Sequence, residues 1–223
     1  MIRLNPNINI EEYYNKWNNS KIVTINNLLV EEDANKLNEC LLNVPEREWD
    51  VSIHPYDEKI FTFANNEENQ HHISAGTITA NQANDIGLFS YCFRRYDKDI
   101  GMEDFLVSPD FLQLINSITN MNVSKVFTVF ASKYQADSFL STHTDTGRGK
   151  LAFVLNLTKY WKEEDGGCFE LLESNWRDVK LRIVPQFNSL TIFNVEGAGV
   201  PHRVTKVQSD VTNIRIAISG WLI

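Results

Sequence analysis

The chain has 223 residues, 43% of them hydrophobic and 22% charged, with a formal net charge of −8. That length suffices for one domain with a well-buried core, and the negative balance opposes nonspecific binding to nucleic acid or to anionic membranes. No apolar run approaches the roughly 20 residues that span a bilayer. The start, Met1 to Pro6, lacks a charged-then-apolar leader, and three scattered cysteines (Cys40, Cys92, Cys168) suggest neither a disulfide framework nor a zinc pair, so a cytoplasmic location is expected.

In chain order, Ile10 to Trp17 reads as a short helix and the β-branched run Ile22 to Ile25 as a strand. Glu31 to Leu42 carries Ala34, Leu37, Leu41 and Leu42 at helical spacing, with Pro45 beyond its end. Glu67 to His72 is polar and reads as a surface loop. Phe89 to Tyr96 is an aromatic strand that contains Arg94 and Arg95. Ser108-Pro109-Asp110 supplies a cap and first turn for a helix carrying Phe111, Leu112, Leu114, Ile115 and Ile118.

From Val126 the texture changes to short β segments: 126–134, 139–144, 151–157, 168–172, 181–184, 189–193, 202–207 and 214–221. Turn formers separate them, among them Asp165-Gly166-Gly167, Pro185 and Gly197. Eight short strands at regular spacing indicate a sandwich or a jelly roll. Without internal repeats or a long linker, one domain over 1–223 is expected, with 1–125 as a mixed α/β support region and 126–223 as the core.

Chemistry concentrates in the second half. His143 and Asp145 flank Thr144, so on an extended strand both side chains point to one face. His202, after Pro201, supplies a second imidazole from another strand. Two histidines and one carboxylate make a set that holds one face of a six-coordinate ferrous ion and leaves the other positions open. The tripeptide alone is weak, since a histidine and an aspartate at a strand end are common on surfaces. Arg215 adds weight: it interrupts an otherwise apolar strand, where an unpaired arginine is costly. A ligand carboxylate would satisfy its fork; an internal partner such as Asp137 or Glu170 is the competing reading. Ser219, four residues on, shares the strand face of Arg215 and offers a hydroxyl.

These stretches resemble the iron(II)- and 2-oxoglutarate-dependent dioxygenases, in particular the prolyl-hydroxylase-like group. The resemblance runs through 132–145, then Leu155-Asn156-Leu157 to Trp161 and Asp165-Gly166-Gly167 to Leu171, then 201–204, and last Arg215 to Trp221. It covers 126–223 well and the N-terminal half loosely. It implies an α+β fold, a double-stranded β-helix (jelly roll) core with N-terminal supporting helices. It implies that His143, Asp145 and His202 bind Fe(II) and that Arg215 grips the distal carboxylate of 2-oxoglutarate. It further implies that Tyr134 hydrogen-bonds that co-substrate, and that O2 is consumed, with ascorbate as an optional reductant. Where prolyl hydroxylases often carry a tyrosine, this chain has Phe153-Val154-Leu155; Asn156 is the nearby substitute. Asp145 itself argues for hydroxylation over halogenation, because halogenating relatives usually replace the acidic ligand.

The expected activity is hydroxylation of an aliphatic C–H on an amino-acid-like group, free or peptidyl and with proline favoured, releasing succinate and CO2. The alternatives are an oxygenase tailoring a small-molecule natural product and a non-catalytic jelly-roll binding protein. Arg94, Arg95 and Arg148 are the substrate-contact candidates, and the aromatic strand Phe89 to Tyr96 is a candidate part of the substrate wall, with a half-buried strand whose basic end is solvated, or a solvated loop, as the competing reading. The partners expected are therefore an amino acid, peptide or small molecule, and neither nucleic acid nor membrane.

Overall fold

Local signals set the helices of the computed structural model, which describes residues 2–54, 61–98, 101–197 and 199–223. In α1 (Ile10–Ser20) the Asn9 side chain accepts from the Glu12 N–H, and Lys21 closes the end in the left-handed region. β1 (Ile22–Asn26) follows, then α2 (Glu31–Leu42), which buries Ala34, Leu37 and Leu41 as their spacing predicts. β2 (Asp50–His54) and β3 (Phe61–Phe63) precede α3 (Gln70–Asp85), and β4 (Tyr91–Tyr96) precedes the short α4 (Glu103–Leu106). In α5 (Pro109–Thr119) the Ser108 hydroxyl accepts from the Phe111 N–H, with proline in the first turn.

The stretch Glu67 to His72 is not the loop its polarity suggests. It is a 3-10 turn, Glu67–Asn69, running into α3. Over sixteen residues α3 buries only Ile73, Ala80 and Ala83, too sparse a stripe to announce a helix. Packing supplies what pattern does not: a Cβ at Gly76 would lie 3.2 Å from an Ile53 methyl, so glycine lets α3 approach β2 closely.

Eight strands complete the chain: β5 (Val126–Tyr134), β6 (Phe139–His143), β7 (Leu151–Asn156), β8 (Phe169–Leu172), β9 (Val179–Ile183), β10 (Ser189–Asn194), β11 (His202–Val204) and β12 (Arg215–Leu222). The strand order is β1-β10-β7-β12-β5-β4-β6-β11-β8-β9, with β2 paired to β4 and β3 to β2, every pair antiparallel. β4 joins the two halves, since Arg94 pairs with Lys133 of β5 while Tyr91 pairs with Leu140 of β6. The sheet thus curls on itself as the double-stranded β-helix, and side chains of both halves line one cavity. The N-terminal half gives the sheet four strands, β1 to β4, besides its helices.

Period-two alternation divides the labour of β12. Ile216, Ile218 and Leu222 point back into the main core with Trp17, Leu41, Phe111 and Ile115 of the helices. Arg215, Ser219 and Trp221 point forward into the cavity. Gly220 is required by crowding: a Cβ there would lie 2.1 Å from the Thr128 carbonyl oxygen and 2.8 Å from the Phe153 ring. Gly220→Ala is expected to cost about 1–3 kcal/mol, the usual range for overpacking, read as a lower urea midpoint. An unchanged midpoint would show that β12 has slack at this position.

Candidate active site

The antiparallel pairing of β6 with β11 sets His143 opposite His202. Their rings lie 4.3 Å apart, and Asp145, just past the end of β6, reaches both. Its Oδ1 is 3.6 Å from His143 Nε2 and its Oδ2 is 3.5 Å from His202 Nε2. The ligand atoms of the three residues lie within 4.8 Å of one another.

Backbone contacts orient both rings. His143 Nδ1 sits 2.9 Å from the Ser141 carbonyl and His202 Nδ1 sits 2.8 Å from the Val200 carbonyl. A carbonyl only accepts, so each Nδ1 donates, and each ring turns its Nε2 toward Asp145. Burial, then the neighbouring His202, pushes the His143 pKa down to about 4, so its ring is neutral at physiological pH. The Asp145 carboxyl stays below its ordinary value: burial alone would raise it, but His202 and His143 together outweigh that. Two imidazole Nε2 atoms and a carboxylate therefore converge on one point. These nitrogen and oxygen donors suit ferrous iron.

Arg215 lies at the inner end of the same cavity, its guanidinium 4.7 Å over the Tyr134 ring. It is buried, and its Nε and Nη1 find no hydrogen-bond partner among the described residues. The internal acids that compete for it are engaged elsewhere: Glu170 with Arg182 and Arg203, each at 2.6 Å, and Asp137 with Lys206 at 3.2 Å. A buried, unpaired fork is a receptor for a carboxylate. Burial pushes the Tyr134 phenol up to about 12, so it keeps its proton and can donate. The residues thus fit both groups of the implied chemistry, a divalent metal and a carboxylate-bearing co-substrate.

Ser219 faces the cavity as expected, but Ala217 intervenes. Four residues of strand separate its Cα from that of Arg215 by about 13 Å, so Ser219 stands across from Phe130 and away from the arginine fork. Asn156 is buried opposite Ala217 with its Oδ1 unpartnered among the described residues, yet it does not line the cavity. Of the arginines, Arg95 and Arg148 line it and Arg94 does not. The pairing of Arg94 with Arg95 as substrate contacts is corrected by strand alternation: Tyr91, Phe93 and Arg95 face the cavity, whereas Arg94 lies 3.6 Å from Glu46, which also pairs with Lys133.

The aromatic strand Phe89 to Tyr96 lines the cavity through Phe89, Tyr91 and Phe93, whereas Phe130 and Trp221 went unread in the sequence. Phe89, Tyr91, Phe93 and Tyr134 form a ladder with centroid separations of 5.9, 5.5 and 5.2 Å, beginning 5.7 Å from the His143 ring. Phe130 and Trp221, 6.0 Å apart, form another wall. Counting back by twos from Tyr134 and forward by twos from Arg215 would have found both.

Residues 129–223 match the family model described as the 2OG-Fe(II) oxygenase superfamily. Prolyl 3-hydroxylase OGFOD1 of Xenopus laevis is 32% identical over 117 residues, 50% of this chain and 22% of that protein. The Mus musculus protein of the same name is 26% identical over 121 residues, 52% of this chain and 22% of its own. The matched stretch thus spans about a fifth of the length of these curated relatives. Among solved structures, a 2OG-Fe(II) oxygenase family oxidoreductase from Burkholderia pseudomallei superposes with a TM-score of 0.62 at 12% identity, covering 97% of this chain and 91% of that one. A Pseudomonas putida prolyl-4-hydroxylase gives 0.53 at 14%, covering 96% and 91%. A Trichoplax adhaerens prolyl hydroxylase, solved with a hypoxia inducible factor oxygen degradation domain peptide fragment, gives 0.55 at 16%, covering 96% and 88%. These structural likenesses are likenesses of fold.

Proposed function

We propose that this chain, whose residues 129–223 belong to the 2OG-Fe(II) oxygenase superfamily, is a prolyl-hydroxylase-like enzyme that hydroxylates an aliphatic C–H of a prolyl or similar amino-acid group. The observation that carries the proposal is the buried Arg215, whose Nε and Nη1 have no partner among the described residues, in the same cavity as the convergent His143, Asp145 and His202. The relatives named prolyl hydroxylases support the substrate class. The three free cysteines agree with a reducing, cytoplasmic setting.

His143, Asp145 and His202 would hold ferrous iron, and Arg215 with Tyr134 would hold 2-oxoglutarate. When bound, these groups and O2 supply the oxidation of a C–H bond, with succinate and CO2 released. The protein's own part is orientation and exclusion. The Ser141 and Val200 carbonyls lock the imidazole rings, so the ligand geometry is set before metal arrives. Arg215 supplies a fixed positive fork, and the Tyr134 O–H stays protonated to donate to an anionic oxygen. The aromatic walls displace water and admit an aliphatic ring or chain beside the metal centre.

The test is anaerobic addition of ferrous iron and 2-oxoglutarate, followed by admission of oxygen with a prolyl peptide. A visible charge-transfer band, then succinate in step with a substrate gaining one oxygen atom, is the expected result; no band with either addition order would sink the proposal. Tyr134→Phe is expected to weaken 2-oxoglutarate by about 0.5–1.5 kcal/mol, one hydrogen bond, in a titration of that band, with iron binding unchanged.

A further inference from the structure

We infer that the cavity accepts a substrate bearing a carboxylate, which Arg148 and Arg95 receive at its mouth; this deepens the oxygenase reading above and rests on it. Alternation along β4 sends Arg95 into the cavity, where its guanidinium carbon lies 3.9 Å from the centre of the Phe130 ring. Arg95 gives its Nε to both Asp97 oxygens, at 2.6 and 2.8 Å, while its two terminal nitrogens donate to nothing among the described residues. Arg148, in the turn after β6, stands 5.2 Å over Trp221 and makes no ion pair or side-chain hydrogen bond among the described residues. Phe130 and Trp221 touch, so the two guanidinium groups flank one aromatic pair. Tyr91 on the facing wall feels both: burial raises its phenol, and Arg95 and Arg148 each pull it back.

Charge then decides what the rim is for. Among the described residues lining the cavity, three arginines oppose a single carboxylate, Asp145, in a chain whose net charge is −8. Ferrous iron on Asp145 and the 2-oxoglutarate dianion on Arg215 together cancel. Arg148 is left over whole, and Arg95 keeps its free edge. Contact with a ring restrains each guanidinium, whose planar fork binds a carboxylate by two parallel hydrogen bonds. The carboxylate has two sources, the α-carboxylate of a free amino acid or an acidic side chain next to the hydroxylated residue in a peptide.

Two probe pairs separate them: L-proline against L-prolinamide, and the blocked peptide Ala-Glu-Pro-Ala against its glutamine counterpart. Each is titrated calorimetrically into anaerobic protein carrying ferrous iron and 2-oxoglutarate. In at least one pair the acid is expected to bind about tenfold or more tightly, the worth of one charge-assisted hydrogen bond, and the pair that responds identifies the source. In the double variant Arg95→Gln, Arg148→Gln the acid and its neutral partner are expected to bind alike. If neither acid outbinds its partner, including a panel in which nothing binds, or if the preference survives in the double variant, the inference is overturned. The visible band of the wild-type complex keeps the two ideas apart. A normal band without acid preference removes only the carboxylate; a missing band removes the oxygenase reading and this inference with it.

Discussion

His143→Ala is expected to abolish stoichiometric ferrous iron binding, and with it the visible band of the anaerobic iron–2-oxoglutarate complex and all coupled succinate release. The reason is the small number of protein donors. Two imidazole nitrogens and one carboxylate are the whole set among the described residues, so losing one leaves His202 and Asp145 with no third point to define a face. Even a group that merely orients a ligand is worth 10–100-fold in metal affinity, and a ligand itself is worth more. The fold should survive, because His143 ends β6 and belongs to no apolar cluster. A circular-dichroism melt close to wild type, together with a flat metal titration, is the predicted pair of results. Retention of the band would remove His143 from the proposed ligand set.

Arg215→Met is expected to act in two opposite directions. Affinity for 2-oxoglutarate should fall by roughly 2–5 kcal/mol, the range for truncating one partner of a buried charge pair, or roughly thirty- to several-thousand-fold in Kd. The ligand-free protein, in contrast, should melt at a higher temperature. In that state Arg215 is a buried cation with Nε and Nη1 unsatisfied, and burial already pushes its pKa down, with Tyr134 a partial offset. Replacing such a charge by an apolar side chain of similar reach removes a desolvation penalty. Arg215→Lys tests geometry against charge: it keeps the cation but loses the fork, so most of the affinity loss should remain. A methionine variant with unchanged 2-oxoglutarate affinity would disprove the assigned role.

What could be read in advance follows the range of the forces involved. α2 and α5 were legible because caps, proline and 3.6-residue spacing act within one or two turns. The strands from Val126 onward were legible because short β-forming runs alternate with turn residues at regular spacing. α3 was not, since its stripe is short and Gly76 and several β-branched residues oppose a helix; contact with β2 outweighs those preferences. Arg94 and Arg95 show the finer limit. Alternation states that the two point to opposite faces, but β4 is half-buried on both, so no local pattern tells which face meets the cavity.

The sequence by itself determined the donor types, His143, Asp145, His202 and Arg215, and the extended segments that carry them, because ligand chemistry and strand period are properties of neighbouring residues. Only the tertiary structure decided that His202 stands opposite His143, that Arg215 finds no internal acid among the described residues, and that Arg95 and Arg148 flank one aromatic pair while Ser219 and Asn156 stand apart from the arginine fork. Those facts depend on register between strands far apart in the chain. Register is set by the packing of the whole sheet against its helices, which no local window contains.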